Sequence, residues 1–281
     1  MTSSIELPNG QQLDLGGPPL VMAIINCTED SFYAPSRAQA GAAVERALEA
    51  AAAGASIIDF GAESTRPGSA YVDEEEELRR LLPVLKGFCR QSSVPVSVDT
   101  RKAAVAQAAL DEGAMIINDI SALKDDPKMA PLCAKTKVPV VLMHKKGIPA
   151  TMQDHPYYTD VVKEVNEFLI QAAVDAERAG IERGKIILDP GIGFGKRLED
   201  NLNILAHLAE LGNGEYPLLI GLSRKSFIGA ITGKETEERL AGTLAAHAAV
   251  YYRGAKIFRV HDVKETIDLI KVLEAIEQKK G

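Results

Sequence analysis

Polar residues able to bind or to do chemistry recur at one kind of place in this 281-residue chain, just after short runs of Val, Ile, Leu and Ala. They are Asn26, Arg66, Asp99, Asn118 with Asp119, His144, Asp189, Arg224 with Lys225, and Arg259 with His261. The carboxylates and amide of Asp99, Asn118 and Asp189 suit a ring that offers several N–H donors and acceptors. The basic groups of Arg66, Lys225, Arg259 and His261 suit an anion. Together they describe a substrate with a heterocyclic end and a phosphate end. A plainer reading stands beside each: Asp or Asn after a strand also caps the following helix, which stays open for Asp99, Asn118 and Asp119. Eight such positions that can converge on one mouth exceed what caps alone explain.

Three loops add detail. Asp189-Pro190-Gly191-Ile192-Gly193-Phe194-Gly195-Lys196 fits neither the P-loop nor the dinucleotide pattern. Its glycines imply unusual backbone angles and close ligand approach, or else a tight loop with no ligand role. Gly221-Leu222-Ser223-Arg224-Lys225-Ser226 leads into a helical stretch, whose backbone N–H groups and serine hydroxyl suit a carboxylate. Glu63-Ser64-Thr65-Arg66-Pro67-Gly68 is a small polar loop that can fold over a ligand, or a solvated connector. The acidic run 73–77 and the pair Lys145-Lys146 read as solvated, and His207 and His247 as structural. No Ser/His/Asp or Cys/His set emerges, so no covalent nucleophile is expected.

Positioning these residues requires a repeated element. The apolar runs 20–25, 55–60, 94–98, 114–117, 138–143, 185–188, 217–220 and 255–260 are short and continuous, as in parallel strands buried on both faces. Helical stretches separate them at 38–53, 74–80 (with Asp73 as cap and Glu76 placed for a capping box), 101–112, 157–179, 236–253 and 262–278. Gly54, Gly113, Gly180 and Gly254 follow helices and precede strands, a helix-stop pattern. Eight β-then-α units without a composition break predict an α/β fold, a (β/α)8 TIM barrel, with a doubly wound open sheet as the alternative. Asn9-Gly10 between alternating residues predicts a short N-terminal β-hairpin within 1–17, covering one barrel end.

The composition is 46% hydrophobic, enough for one large core, and a single domain over 1–281 is expected, although length alone also allows two. The formal net charge of −7 removes the electrostatic drive for general nucleic-acid binding. Cys27, Cys89 and Cys133 are scattered and odd in number, which suits a reducing compartment rather than disulfides or zinc. Neither a signal peptide nor a run of roughly 20 apolar residues is evident, so a cytoplasmic protein without a membrane partner is expected.

In this order, Asn26-Cys27-Thr28-Glu29-Asp30-Ser31-Phe32, the 63–68 loop, Ser97-Val98-Asp99-Thr100, Asn118-Asp119-Ile120, Met143-His144, Leu188 with the 189–196 loop, Ser223-Arg224-Lys225-Ser226 and Arg259-Val260-His261 resemble the motifs of dihydropteroate synthases. The ordered set is specific and spans nearly all of the chain after the hairpin. The resemblance implies condensation of 6-hydroxymethyl-7,8-dihydropterin pyrophosphate with 4-aminobenzoate, giving 7,8-dihydropteroate and pyrophosphate. It implies pterin contacts at Asp99, Asn118, Met143, Asp189, Phe194 and Lys225, with Asp99, Asp189 and Lys225 catalytic. It implies pyrophosphate contacts at Asn26, Arg66, Arg259 and His261, Mg2+ at Asn26, and aminobenzoate contacts at Thr65, Pro67, Phe194, Lys225 and Ser226. A homodimer is also implied. The chain departs from the family in the loop at 27–37, which lacks the usual proline, second aspartate and Gly-Gly pair; at Ala62, where the family has Gly; and at Lys145-Lys146. Two other readings share the pocket: a methyltetrahydrofolate:corrinoid methyltransferase, disfavoured by the basic groups, and a non-catalytic pterin-binding protein.

Overall fold

The computed structural model describes residues 3–27, 36–63, 72–147, 152 and 156–279, with backbone alone at 36–39. β1 (Ser4–Glu6) and β2 (Gln12–Asp14) form the expected antiparallel hairpin, and Gly10 takes a positive φ of 86° in its turn. Eight parallel strands then close into a barrel: β3 (Leu20–Asn26), β4 (Ile57–Gly61), β5 (Val96–Asp99), β6 (Ile116–Asp119), β7 (Val140–Met143), β8 (Ile186–Asp189), β9 (Leu218–Gly221) and β10 (Ala255–Val260). β10 pairs with β3, so there is no free edge and the open-sheet alternative is excluded. Helices alternate with the strands: α1 (Ser36–Ala52), α2 (Glu74–Cys89), α3 (Ala103–Asp111), α4 (Met129–Thr136), α5 (Val161–Arg178), α6 (Leu198–Ala206), α7 (Ser226–Thr232), α8 (Leu240–Tyr251) and α9 (Val263–Glu277).

Period-two alternation sorts each strand. Phe60, Val98, Ile117, Leu142, Leu188, Ile220 and Phe258 face the helices. Met22, Ile57, Ile116, Val141, Ile187, Leu219 and Ile257 face inward and form the lowest layer. The hairpin's Ile5, Leu7, Leu13 and Leu15 pack on that layer and close the lower end. Burying four such side chains contributes roughly 6–12 kcal/mol in gross terms, before conformational entropy is subtracted. The upper end is left for the strand C-termini.

Two sequence readings of α2 need correction. Asp73 does cap it, accepting from the Glu76 amide at 2.8 Å, but the Glu76 carboxylate grips Arg79 and Arg80 instead of completing a capping box. The helix also runs past residue 80, through Pro83. That proline is exposed, on the solvent side of the helix, while buried Leu81, Val84, Leu85 and Phe88 hold the far half down. Among the described residues no helix is long and apolar enough to cross a membrane.

Candidate active site

The upper inward layer is Asn26, Gly61, Asp99, Asn118, Met143, Asp189, Gly221 and Arg259, each at or near the end of its strand. Strand register aligns Asn26 with Gly61, Gly61 with Asp99, and Asp99 with Asn118. Across the barrel Met143 aligns with Asp189 and Gly221 with Arg259. The two glycines leave the mouth open beside the charged groups: a Cβ on Gly61 would lie 3.6 Å from that of Asp99.

Arg259 is the hub. Its Nη2 donates to Asp99 Oδ2 at 2.8 Å, and its Nε donates to Asp59 Oδ2 at 2.7 Å. The same Asp59 oxygen accepts from Asn118 Nδ2 at 3.2 Å. Asp59 is wholly buried and is absent from the sequence-derived set. A signal for it existed: a charged residue inside the apolar run 55–60, two positions from inward-facing Ile57. Burial pushes the Asp99 carboxyl up to about 7; Arg259 opposes the rise, while Asp59, Glu77 and Asp119 add to it. Burial also works against the Arg259 charge, yet Asp59 and Asp99 outweigh it and hold the guanidinium above its ordinary range.

Opposite lie Asp189 and Lys225. Burial raises the Asp189 carboxyl, with Lys225 the main opposing charge. Burial lowers the Lys225 ammonium to about 8, against the pull of Asp189. Lys225 Nζ donates to the Ile192 carbonyl and lies 4.7 Å from the centre of the Phe194 ring. Asp189 Oδ1 in turn accepts the Gly191 amide at 2.7 Å. Asp99, Asn118, Met143, Asp189, Phe194, Lys225 and Arg259 are thus brought to one mouth. Asn26 ends β3 exposed at the same end, its carbonyl accepting from Arg46 at 3.2 Å. His261 is exposed beyond β10, and its Nδ1 lies 3.0 Å from Ser223 Oγ. Ser226 is exposed as the first residue of α7. Thr65, Arg66 and Pro67 lie outside the described residues, as does most of the divergent 27–37 loop.

Several strand-end readings change. Asp119 faces away and binds its own turn, through Ser121 N at 2.7 Å, Ser121 Oγ at 2.6 Å and Leu123 N at 3.1 Å; none of Asp99, Asn118 and Asp119 caps the following helix, whose N-cap is Lys102 for α3 and Lys128 for α4. His144 is buried behind the mouth, 2.8 Å from Lys196 Nζ, and burial together with Lys196 lowers it to about 2. Lys196, itself buried, also donates to the carbonyls of Gly191 and Phe194 at 2.9 and 3.2 Å. The 189–196 glycines do take positive φ, 65°, 83° and 64° at Gly191, Gly193 and Gly195. Two of them admit the chain's own backbone rather than a ligand: a Cβ on Gly191 would overlap the His144 carbonyl oxygen, and one on Gly195 that of Lys146. Arg224, at a φ of 55°, turns away from the mouth and chelates Asp262 at 2.9 and 2.7 Å.

The acidic run and the lysine pair are only partly solvated. Glu77 is fully buried and pairs with Lys102, which also holds Glu63 at 2.8 Å. Glu63 pairs with Arg101 at 2.9 Å, Arg101 with Asp125 at 2.7 Å, and Asp125 with Lys145 at 2.9 Å. This chain of charges ties together the segments that follow β4, β5, β6 and β7. Lys146 is exposed, over the Tyr158 ring.

A model of the pterin binding enzyme family matches residues 22–261. The dihydropteroate synthase of Escherichia coli (strain K12) is 46% identical over 267 residues, covering 95% of this chain and 94% of that protein. A structure of Xanthomonas albilineans dihydropteroate synthase with 4-aminobenzoic acid superposes with a TM-score of 0.91 at 44% identity, covering 99% of each chain. A structure of dihydropteroate synthase from Xanthomonas albilineans in complex with 7,8-dihydropteroate superposes with a TM-score of 0.87 at 41% identity, covering 98% of this chain and 99% of that one.

Proposed function

This chain belongs to the pterin binding enzymes and, within them, to the dihydropteroate synthases, transferases of folate biosynthesis, and on that premise we propose how its mouth residues divide the work. The reaction joins 6-hydroxymethyl-7,8-dihydropterin pyrophosphate to 4-aminobenzoate. The amine nitrogen forms a bond to the pterin methylene carbon, the bond from that carbon to pyrophosphate oxygen breaks, and the nitrogen sheds one proton.

One observation carries the assignment: Asp99, Asn118, Asp189 and Lys225 converge on one mouth, with Arg259 bonded to Asp99. Asp99, Asn118 and Asp189 take the pterin's N–H donors, and Met143 and Phe194 flank the ring. An arylamine is a weak nucleophile, so departure of pyrophosphate runs ahead of attack and positive charge grows on the methylene. Asp99 and Asp189 are placed to stabilise that charge. Arg259 and His261, with Arg66, hold the departing anion. Lys225, whose ammonium is lowered to about 8 but remains mostly charged at neutral pH, faces the pterin from the Asp189 side. Thr65, Pro67, Phe194, Lys225 and Ser226 receive the aminobenzoate. No strong base is required, because the attacking amine is already neutral.

Mg2+ belongs to this proposal. Among the described residues no three His, Cys, Asp or Glu side chains gather as a metal site. Asn26 supplies a single exposed amide at the pyrophosphate side, which suits a Mg2+ carried by phosphate oxygens and water. Bound there, the ion would neutralise charge on the leaving pyrophosphate. A homodimer in the cytoplasm completes the reading. Exposed Ile231, Tyr252, Val272 and Ile276 on and beside α7, α8 and α9 offer apolar surface to a second copy.

The test is pyrophosphate release by purified protein with Mg2+ and the pterin pyrophosphate, with and without 4-aminobenzoate. Release matched one-to-one by dihydropteroate, and abolished by Lys225→Ala, is the expected result. Release without dihydropteroate, or full activity in Lys225→Ala, overturns the assignment.

A further inference from the structure

Among the described residues, the mouth carboxylate without a role in that scheme is Asp59, wholly buried on the inward face of β4. Its Oδ2 accepts two hydrogen bonds, from Arg259 Nε at 2.7 Å and Asn118 Nδ2 at 3.2 Å. Its Oδ1 is buried and accepts none. Both donors sit on other strands and present their remaining groups to the mouth. A carboxylate oxygen bonded to Nε fixes the plane of a guanidinium, because all five N–H donors lie in one rigid planar fork. With Nε on Asp59 and Nη2 on Asp99, Nη1 has no hydrogen-bond partner among the described residues and points elsewhere. The amide of Asn118 has a similar constraint. Donating Nδ2 to Asp59 sets which way the amide faces, and so presents its carbonyl oxygen as the free acceptor for a ring N–H. Removing charge from a buried carboxylate leaves its charged partner uncompensated and free to reorient.

We propose that Asp59 is a positioning residue for the condensation: it orients Asn118 toward the pterin ring and Arg259 toward both Asp99 and the departing pyrophosphate. It touches neither substrate, since no oxygen of Asp59 reaches the mouth surface. The proposal rests on the pterin-site reading given above. A carboxylate whose only task is to fill the barrel interior would affect both substrates alike or only stability. A positioning carboxylate splits them: it acts on the pterin pyrophosphate and leaves 4-aminobenzoate, bound near Phe194 and Ser226, alone.

The experiment compares steady-state kinetics of wild type, Asp59→Asn, Arg259→Lys and the double variant, each varied in both substrates, together with calorimetric binding of 6-hydroxymethylpterin. Asp59→Asn is nearly isosteric. It should weaken pterin binding about tenfold and lower kcat by at least tenfold, with the KM for 4-aminobenzoate within twofold of wild type. Arg259→Lys keeps the cation but cannot span both carboxylates, and should show the same split. Adding Asp59→Asn to it should then cost less than threefold more. Normal pterin binding and kcat in Asp59→Asn, equal loss toward both substrates, or fully multiplicative losses in the double variant overturns the proposal. If Asp59→Asn fails to fold, Arg259→Lys decides, because a wild-type 4-aminobenzoate KM with weakened pterin binding is still required of it. A wild-type protein without dihydropteroate formation would count against the site reading itself, and is told apart by that first control.

Discussion

Asp99→Asn separates function from stability and puts the electrostatics of the mouth at risk. The Asp99 carboxyl is about 8% exposed and is pushed up from 3.8 to about 7, chiefly by burial. The folded state therefore holds a proton there that the unfolded chain has already lost. Wild-type stability from this group is present below pH 4 and is lost as pH rises through about 7. At about 1.4 kcal/mol per pH unit, keeping the group ionised at pH 8 costs on the order of 4 kcal/mol. Asparagine removes the charge and keeps an oxygen for Arg259, whose guanidinium still has Asp59. If half of the cost is recovered, the melting temperature at pH 8 rises by roughly 4 °C, and the gain fades toward zero at pH 4 to 5. Turnover, in contrast, should fall at least a hundredfold, because the variant cannot stabilise positive charge on the methylene. The measurements are thermal unfolding of both proteins from pH 4 to 8 and dihydropteroate formation at pH 8. A variant that is less stable at every pH by the same amount, or that keeps a tenth of its turnover, would refute the reasoning.

Further outcomes follow from the surrounding structure. Gly191→Ala combines a φ of 65° with overlap on the His144 carbonyl, and should cost about 3 kcal/mol or more. Gly10→Ala has a φ of 86° but open space, and should cost only about 1 kcal/mol, so a chemical-denaturation series that finds the two alike would discard the packing argument. His247 is buried, its two ring nitrogens have no hydrogen-bond partner, and it stacks 4.7 Å from Phe258. Burial lowers its pKa to about 4, so between pH 6.5 and 4 the unfolded chain takes up a proton that the folded chain refuses, and stability falls as pH falls through that window. His247→Leu should be more stable by about 1 kcal/mol at pH 7 and by more at pH 5; a destabilised variant whose deficit is the same at both pH values would count against it.

The barrel was legible because buried parallel strands leave a simple mark, a short apolar run followed by a polar residue and later by a glycine. Gly54, Gly113, Gly180 and Gly254 all take positive φ where the helix-stop reading put them. The strand bounds were shifted, since Ala55, Val94, Ala114 and Val138 are apolar but precede the ladder, whereas Gly61, Asp99 and Asp119 remain within it. α4 and α6 were not read as helices: they have only 8 and 9 residues, and α4 carries Pro131 in its first turn, where a missing N–H does no harm. Residue type and strand position sufficed to place Asp99, Asn118, Asp189, Lys225 and Arg259 at the mouth. They did not suffice for His144, Asp119 or Arg224, because direction depends on parity and on partners distant in sequence, such as Lys196 and Asp262. Asp59 was missed for the opposite reason, being read as part of a strand and not as an end of one. Glu77 and Lys145 looked solvated because ion pairs 25 and 20 residues apart have no local sequence signature.

The charges at the mouth explain why so costly an arrangement suits this chemistry. Asp59, Asp99 and Asp189 face Arg259 and Lys225, three carboxylates against two cations. A site that bound only the dianionic tail of the substrate would carry the reverse balance. In the proposed mechanism the surplus carboxylate acts when the tail departs, because the pterin left behind would then be positive and the anion would be moving away. Burial makes that excess charge expensive in the resting protein, as the raised pKa values of Asp99 and Asp189 record. The barrel supports it from two sides: the hairpin closes the lower end with Ile5, Leu7, Leu13 and Leu15, and the ion-pair chain from Glu77 to Lys145 ties the upper segments together. The mouth is thus braced from below and around its rim, and the residues that break local rules, a charge inside a strand and carboxylates out of water, gather there.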